Sequence, residues 1–192
     1  MPPEHSINRL PFLTIVEGAA LSKDPSEIER EVMELFEQFR GPLLRYALSF
    51  DIPVIDAEEV IQEVFLSLFR HLQLRRSRKN LLGWIFRVAH NLALKQLYAN
   101  QKSHAQTTSN RTVAEEQVDP ALGPEHQLLA AQRRQRLLAV VQALPANDQQ
   151  CLRLRAEGLR YREIATVLGM SLGAVSISLT RSLARLARAD GR

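Results

Sequence analysis

Apolar residues recur along this chain at three- and four-residue spacing, the period of amphipathic helices. The clearest stretch is residues 56–72, where Ala57, Val60, Ile61, Val64, Phe65, Leu68, Phe69 and Leu72 keep to one stripe without a miss. Asp56 is placed to cap the first free amides, and Glu59 three residues later completes a start like a capping box. At 100° per residue the opposite side carries Glu58, Glu59, Gln62, Glu63 and Arg70, with Leu66 in their midst. That side reads either as a solvated face with one stray apolar residue or as a docking surface.

Three more apolar stripes complete an amino-terminal unit. Ser26 and Glu29 form a second capping signature, followed by Ile28, Val32, Leu35, Phe36 and Phe39. Gly41-Pro42 predicts a kink or restart there, because proline lacks an amide and clashes one turn back; Leu43, Leu44 and Ala47 then continue the stripe. Beyond a polar connection at 73–80 lies a helix with Leu81, Ile85, Val88, Ala89 and Leu92 on one side, bordered by Trp84. Arg87, Asn91 and Tyr98 share a flank of it, with Lys95 at the edge.

The carboxyl-terminal pattern is shorter-waved. A helix over 128–144 stops at Pro145, and another opens at Asp148 and ends near Gly158. In residues 159–181, Ile164, Ala165 and Leu168 mark a short helix, Gly169 suits a turn, and Ser171 can cap a second helix packed through Leu172, Val175, Leu179, Leu183 and Leu186. This is the helix-turn-helix layout, whose second helix enters the DNA major groove. The pattern therefore predicts an all-α chain. An extension (1–25) precedes a helical domain (26–102); a flexible linker (103–127) joins this to a helix-turn-helix domain (128–192).

Bulk composition adds little, but charge distribution adds much. The 192 residues are 45% hydrophobic and 24% charged, with a net charge of +4. No apolar run approaches the roughly 20 residues of a membrane span. The start does not read as a secretory leader, and Cys151, the single cysteine, excludes an intrachain disulfide. Cytoplasm is the expected compartment. From Glu27 to Glu63 there are ten acids against Arg30, Arg40 and Arg45, whereas no acid occurs between Val64 and Ala114. From Leu128 onward eleven Arg face four acids. Two basic surfaces and one acidic surface point to a polyanion and a second, basic partner.

No metal-ligand cluster, nucleophile motif or phosphate-cradling Gly loop is present, so neither an enzyme nor a cofactor is expected. His71 and His90 read as structural or surface residues and Cys151 as a small core residue.

The blocks DAEEVIQEVFLSLFRHL and LLGWIFRVAHNLALKQL, followed beyond a polar linker by ALPANDQQCLRLRAEGLRYREIATVLGMSLGAVSISLTRSLARL, resemble bacterial RNA polymerase sigma factors of the extracytoplasmic-function group. The resemblance implies a first domain that docks on the polymerase clamp coiled coil and reads and melts the promoter −10 element. It implies a second domain that reads the −35 element and meets the β flap, and it implies an anti-sigma factor as a further partner. Asp56, Glu59, Gln62, Glu63 and Phe65 match the clamp-binding motif, with Glu58 and Leu66 on the same exposed side and Phe65 in the core. The loop with Arg75, Arg76, Arg78, Lys79 and Asn80 matches the one that captures a flipped base, and Asn91 and Lys95, beside Arg87, match DNA-facing positions. For the −35 element the candidates are Arg160, Arg162, Ser171, Ser176, Ile177, Thr180, Arg181 and Arg185. Arg181 matches a basic family position suited to a guanine edge or phosphate, and Ile177 suits a thymine methyl. Ser176 and Ser178 stand where basic residues are usual, which predicts weaker phosphate contacts. An autonomous helix-turn-helix regulator with an effector or dimerisation domain, or an inactive adaptor, is the competing expectation.

Overall fold

The computed structural model describes residues 25–104 and 124–191; the extension and most of the linker lie outside them. Among the described residues there are seven helices and no strand. The first three form one unit: α1 (Pro25–Leu48), α2 (Val54–Gln73) and α3 (Leu81–His104).

The expected restart at Gly41-Pro42 does not occur, and α1 is one helix with Pro42 inside it. Leu35 and Phe39 before the proline and Leu43, Tyr46 and Ala47 after it are all buried in the same core. Packing on both sides outweighs the missing amide bond, at about 2 kcal/mol per fully buried apolar side chain.

Helix α2 starts three residues earlier than its charge pattern suggested, with Pro53 rather than Asp56 at the N-cap and no side-chain cap. Asp56 therefore sits in the first turn, where it accepts a hydrogen bond from Asn100 Nδ2 of α3 at 2.5 Å instead of capping. The predicted stripe is the buried one, save that Phe69 is only partly covered. Phe36 meets Phe65 edge to face at 5.0 Å. Helix α3 is capped by Asn80, whose Oδ1 accepts from Gly83 N at 3.3 Å. A Cβ at position 83 would come within 2.6 Å of Asn80 Nδ2, so glycine is what lets this cap close.

The second unit comprises α4 (Pro124–Gln142), α5 (Ala146–Ala156), α6 (Tyr161–Leu168) and α7 (Leu172–Ala189). Helix α4 begins four residues before the expected position, with Pro124 in its first turn, where a missing amide costs nothing. Cys151, Leu154, Leu159, Ile164, Val167, Val175 and Leu179 fill the core. Asp148 does not open α5; Pro145 is the N-cap, and Asp148 is buried one turn in.

The two units share one continuous apolar core. Helix α3 buries two faces: Leu81, Ile85 and Ala89 lie on the predicted stripe, whereas Phe86 and Ala93 are fully buried outside it. Helix α6 packs against α3, and the end of α1 meets α5. Arg45 of α1 donates twice to Glu157, at 3.1 and 2.7 Å, and this bonding raises its already high pKa. Arg153 Nη1 donates to the Ser49 carbonyl at 2.7 Å. Tyr46 lies at this seam with Phe50, Phe86 and His90 around it, its Oη 2.8 Å from His90 Nδ1. Burial pushes the Tyr46 hydroxyl up and His90 down, so both are neutral at the seam.

Candidate functional site

Three surfaces carry the residues singled out in the sequence. The first is the outer side of α2. Gln62 and Glu59 are exposed, and Leu66 stands 51% open to solvent beside Met33 of α1, which is 58% open. Gln62, Leu66 and Met33, with Glu29, line a groove of about 540 Å³ between α1 and α2, with Val32, Phe36, Phe65 and Phe69 in its floor and walls. Three acids of this side already have neighbours: Glu58 pairs with Arg40 at 2.7 Å, Glu63 with Arg70 at 3.7 Å, and Asp56 with Asn100. The groove is almost wholly apolar, with Glu29 the acid in its lining and the α2 acids beside it; such a face suits an apolar anchor flanked by basic residues.

The second surface runs from the loop after α2 onto the flank of α3. Helix α2 ends with Arg75 N donating to the Leu72 carbonyl and Arg76 N to the His71 carbonyl, the paired bonds of a Schellman motif. The left-handed position of that motif usually holds glycine, but here it holds Arg75, with φ 51°. Asn80, at φ 56°, closes the other end of the loop. Arg75, Arg76 and Lys79 are exposed, while Arg78 is turned back onto Glu31 of α1 at 2.9 Å. Arg78 and Asn80 thus build the loop, and the other three cations face outward. Arg87, Asn91, Lys95 and Tyr98 are exposed along one flank of α3. Because α3 buries its other faces on both units, this flank is the open one.

The third surface is the helix-turn-helix. Gly169 ends α6 at φ 64°, Ser171 Oγ accepts from Ala174 N at 3.1 Å to cap α7, and the helices cross at 107°. That angle falls within the roughly 90–120° of the motif. The face of α7 against the core differs from the expected leucine stripe. Val175, Ser178, Leu179 and Ser182 are buried, whereas Leu172 and Leu183 are about half exposed. The polar anchor explains this rotation: buried Asp148 accepts from Ser178 Oγ at 2.8 Å and from Arg181 at 2.9 and 2.6 Å. Ser178 is therefore no missing phosphate contact, since a basic residue there would point into the core. Ile177 is 66% exposed, and Thr180, Arg185, Arg160 and Arg162 are also open, while Ser176 is half-buried. Arg160 contributes to the start of α6, its backbone N donating to Glu163 Oε2 at 2.6 Å.

Arg181 is exposed on the expected side but doubles as the partner of a buried carboxylate. Arg181→Ala is expected to destabilise the fold by about 1–3 kcal/mol as well as weaken DNA binding. Arg185→Ala is expected to stay within about 0.5 kcal/mol of the parent. Denaturant unfolding of the two variants checks the difference.

Residues 35–103 match the family described as Sigma-70 region 2, and residues 134–186 match the one described as Sigma-70, region 4. The chain is 27% identical to the ECF RNA polymerase sigma-E factor of Escherichia coli (strain K12) over 144 residues, spanning 72% of this chain and 73% of that one. The chain belongs to the extracytoplasmic-function sigma factors. Two solved structures share the fold. CnrH, determined with the cytosolic domain of CnrY, aligns with a TM-score of 0.57 at 20% identity, covering 85% of this chain and 92% of that one. The sigma factor RpoE of Bartonella quintana, determined with the anti-sigma factor NepR, aligns at 0.63 and 17%, covering 85% and 96%. As a sigma factor the chain binds core RNA polymerase and promoter DNA and directs transcription initiation.

Two features of this sigma factor were hard to read in sequence. One is the second buried set on α3, Phe86 and Ala93, outside the predicted stripe of a helix that also packs against α6. The Asp148 anchor rests on serines at core positions of α7, which ordinary periodicity scores as surface.

Proposed function

We propose that this sigma factor divides its work among the three surfaces. The acidic side of α2, with Leu66 as anchor, docks on a basic coiled coil of the polymerase clamp. The exposed cations of the loop and the α3 flank engage the −10 element, with Asn91 and Lys95 facing the strand and the loop enclosing a flipped base. Base flipping costs a few kcal/mol, so easily unpaired steps are favoured. The helix-turn-helix unit meets the β flap and reads the −35 element through Ile177, Thr180, Arg181 and Arg185, with Arg160 and Arg162 near the backbone. The observation that carries this reading is the order of surfaces along the first unit: an open apolar groove on the acid-bearing side of α2, then an exposed basic loop and an α3 flank without acids. The chain acts without catalytic activity of its own, in the cytoplasm where the polymerase works. CnrH and the Bartonella RpoE are held by CnrY and NepR, and an anti-sigma partner of that kind is proposed for this chain.

The packed arrangement of the two units also constrains the cycle. The −10 and −35 elements lie about 25 base pairs apart, about 85 Å along the duplex. Helix α6 touches both α3 and α7, so the two reading surfaces are separated by about two helix spacings, roughly 20 Å. Reading both elements together requires the seam to open.

A sigma factor and an autonomous regulator part on one measurement. Fluorescence anisotropy with labelled promoter duplex is expected to show weak, salt-dependent binding by the chain alone and tight binding once core polymerase is added. Tight, dimeric binding to a palindromic site without polymerase would favour the regulator instead.

A further inference from the structure

We infer that His71 is a positioning residue for the promoter-reading loop, its ring donor fixing the loop's shape and so its choice of base. The inference rests on the proposed reading of that loop as the −10 base-capture element.

His71 lies in the last turn of α2, 9% exposed, and packs against Trp84 of α3 with ring centroids 4.4 Å apart and the rings tilted by 42°. It holds the loop twice. Its backbone carbonyl accepts from Arg76 N at 3.2 Å, and its ring Nε2 lies 2.9 Å from the Ser77 carbonyl oxygen. A carbonyl oxygen only accepts, so Nε2 carries the proton in this contact. The ring's Nδ1 is buried without a hydrogen-bond partner, so Nε2 is the ring atom that ties to the loop. The side chain is therefore a fixed donor aimed at the middle of the loop.

A basic loop needs such a donor here. Arg75 and Asn80 are both held at positive φ, a conformation that residues other than glycine adopt only when neighbouring contacts over-determine it. Asn80 is held by Gly83 N, and Arg78 by Glu31. Between them the Ser77 hydroxyl accepts from Lys79 N at 3.2 Å, and the Ser77 carbonyl is pinned by His71. Without the ring donor, the segment carrying exposed Arg75 and Arg76 loses its only side-chain tie to α2 among the bonds described. Its cations would still attract phosphate, whose recognition tolerates movement, but a pocket for one base does not. His71 is thus expected to act on base discrimination more than on total affinity.

The test uses holoenzyme assembled with core polymerase and a pool of single-stranded oligodeoxynucleotides randomised over a short central window, sequenced before and after capture. His71→Phe keeps a ring against Trp84 but removes the donor. His71→Gln places an amide N–H near the Nε2 position, and His71→Asn is too short to reach Ser77. The Phe and Asn variants are expected to lower preference at the captured base by up to about tenfold, with core affinity and total retention at low salt unchanged. His71→Gln is expected to restore most of the preference. Should His71→Phe fail to fold, the Gln–Asn comparison carries the same contrast. Full preference in both Phe and Asn, or equal loss in Gln and Asn, overturns the role of the donor. Arg75→Glu with Arg76→Glu serves as the control: if it leaves capture unchanged, the reading of the loop itself fails, and His71's role falls with it.

Discussion

Gln62→Ala combined with Glu63→Lys is expected to lower affinity for core RNA polymerase about 30- to 150-fold, a loss of about 2–3 kcal/mol, while helix content and thermal midpoint hold. Both side chains lie on the open side of α2, away from the stripe that builds the core. Reversing one charge in a face that meets a basic partner removes an attraction and adds a repulsion. Stability is spared because Glu63 has only a loose surface pair with Arg70, at 3.7 Å, and pairs of that kind contribute about 0–1 kcal/mol. Leu66→Ala probes the same face without charge. It empties an anchor beside the groove and is expected to cost about 2 kcal/mol of binding, again with little effect on folding because Leu66 is half exposed. Titration of labelled core with each variant checks both results, and unchanged affinity in the double variant would remove α2 from the docking surface.

Locking the seam between the two units is expected to abolish transcription that depends on both promoter elements. Arg45 and Glu157 face each other across it, so Arg45→Cys with Glu157→Cys gives two thiols for a short cleavable bismaleimide. Cys151 stays out of the reaction, being fully buried with its thiol pKa pushed up by desolvation. In the linked form α3 and α7 stay within roughly two helix spacings, far short of the span between the elements. Capture of single-stranded −10 DNA is expected to survive, since Arg87, Asn91 and Lys95 are exposed in the packed state. Cleaving the linker restores transcription. Full activity from a two-element promoter while the link is intact would show that the seam does not need to open.

The fold was largely legible because its signals are local. Among the described residues α1, α2 and α6 follow the apolar period, Pro145 and Gly158 bound the helices between, and Gly169 and Ser171 mark the turn and cap of the helix-turn-helix as expected. Leu66 stands among acids in sequence and lies open beside a groove in space. What escaped was non-local. Pro42 reads as a break until the burial of Leu43 and Tyr46 is counted. The expected face of α7 shifts because one buried carboxylate gathers Ser178 and Arg181 from thirty or more residues away. Helix α3 packs against α6 as well as its own unit, and its buried Phe86 and Ala93 are what a single-stripe reading leaves over. In the loop, Arg78 and Arg75 look equivalent in sequence, yet Arg78 turns inward onto Glu31 and Arg75 faces solvent.

The central claim is that this chain brings core polymerase to promoters through these surfaces. In vitro run-off transcription with core RNA polymerase on a promoter library tests it most directly. Transcripts are expected from a subset of templates sharing a −10 and a −35 sequence, and they are expected to be lost with Gln62→Ala/Glu63→Lys. Absence of promoter-specific transcripts above core polymerase alone would contradict it.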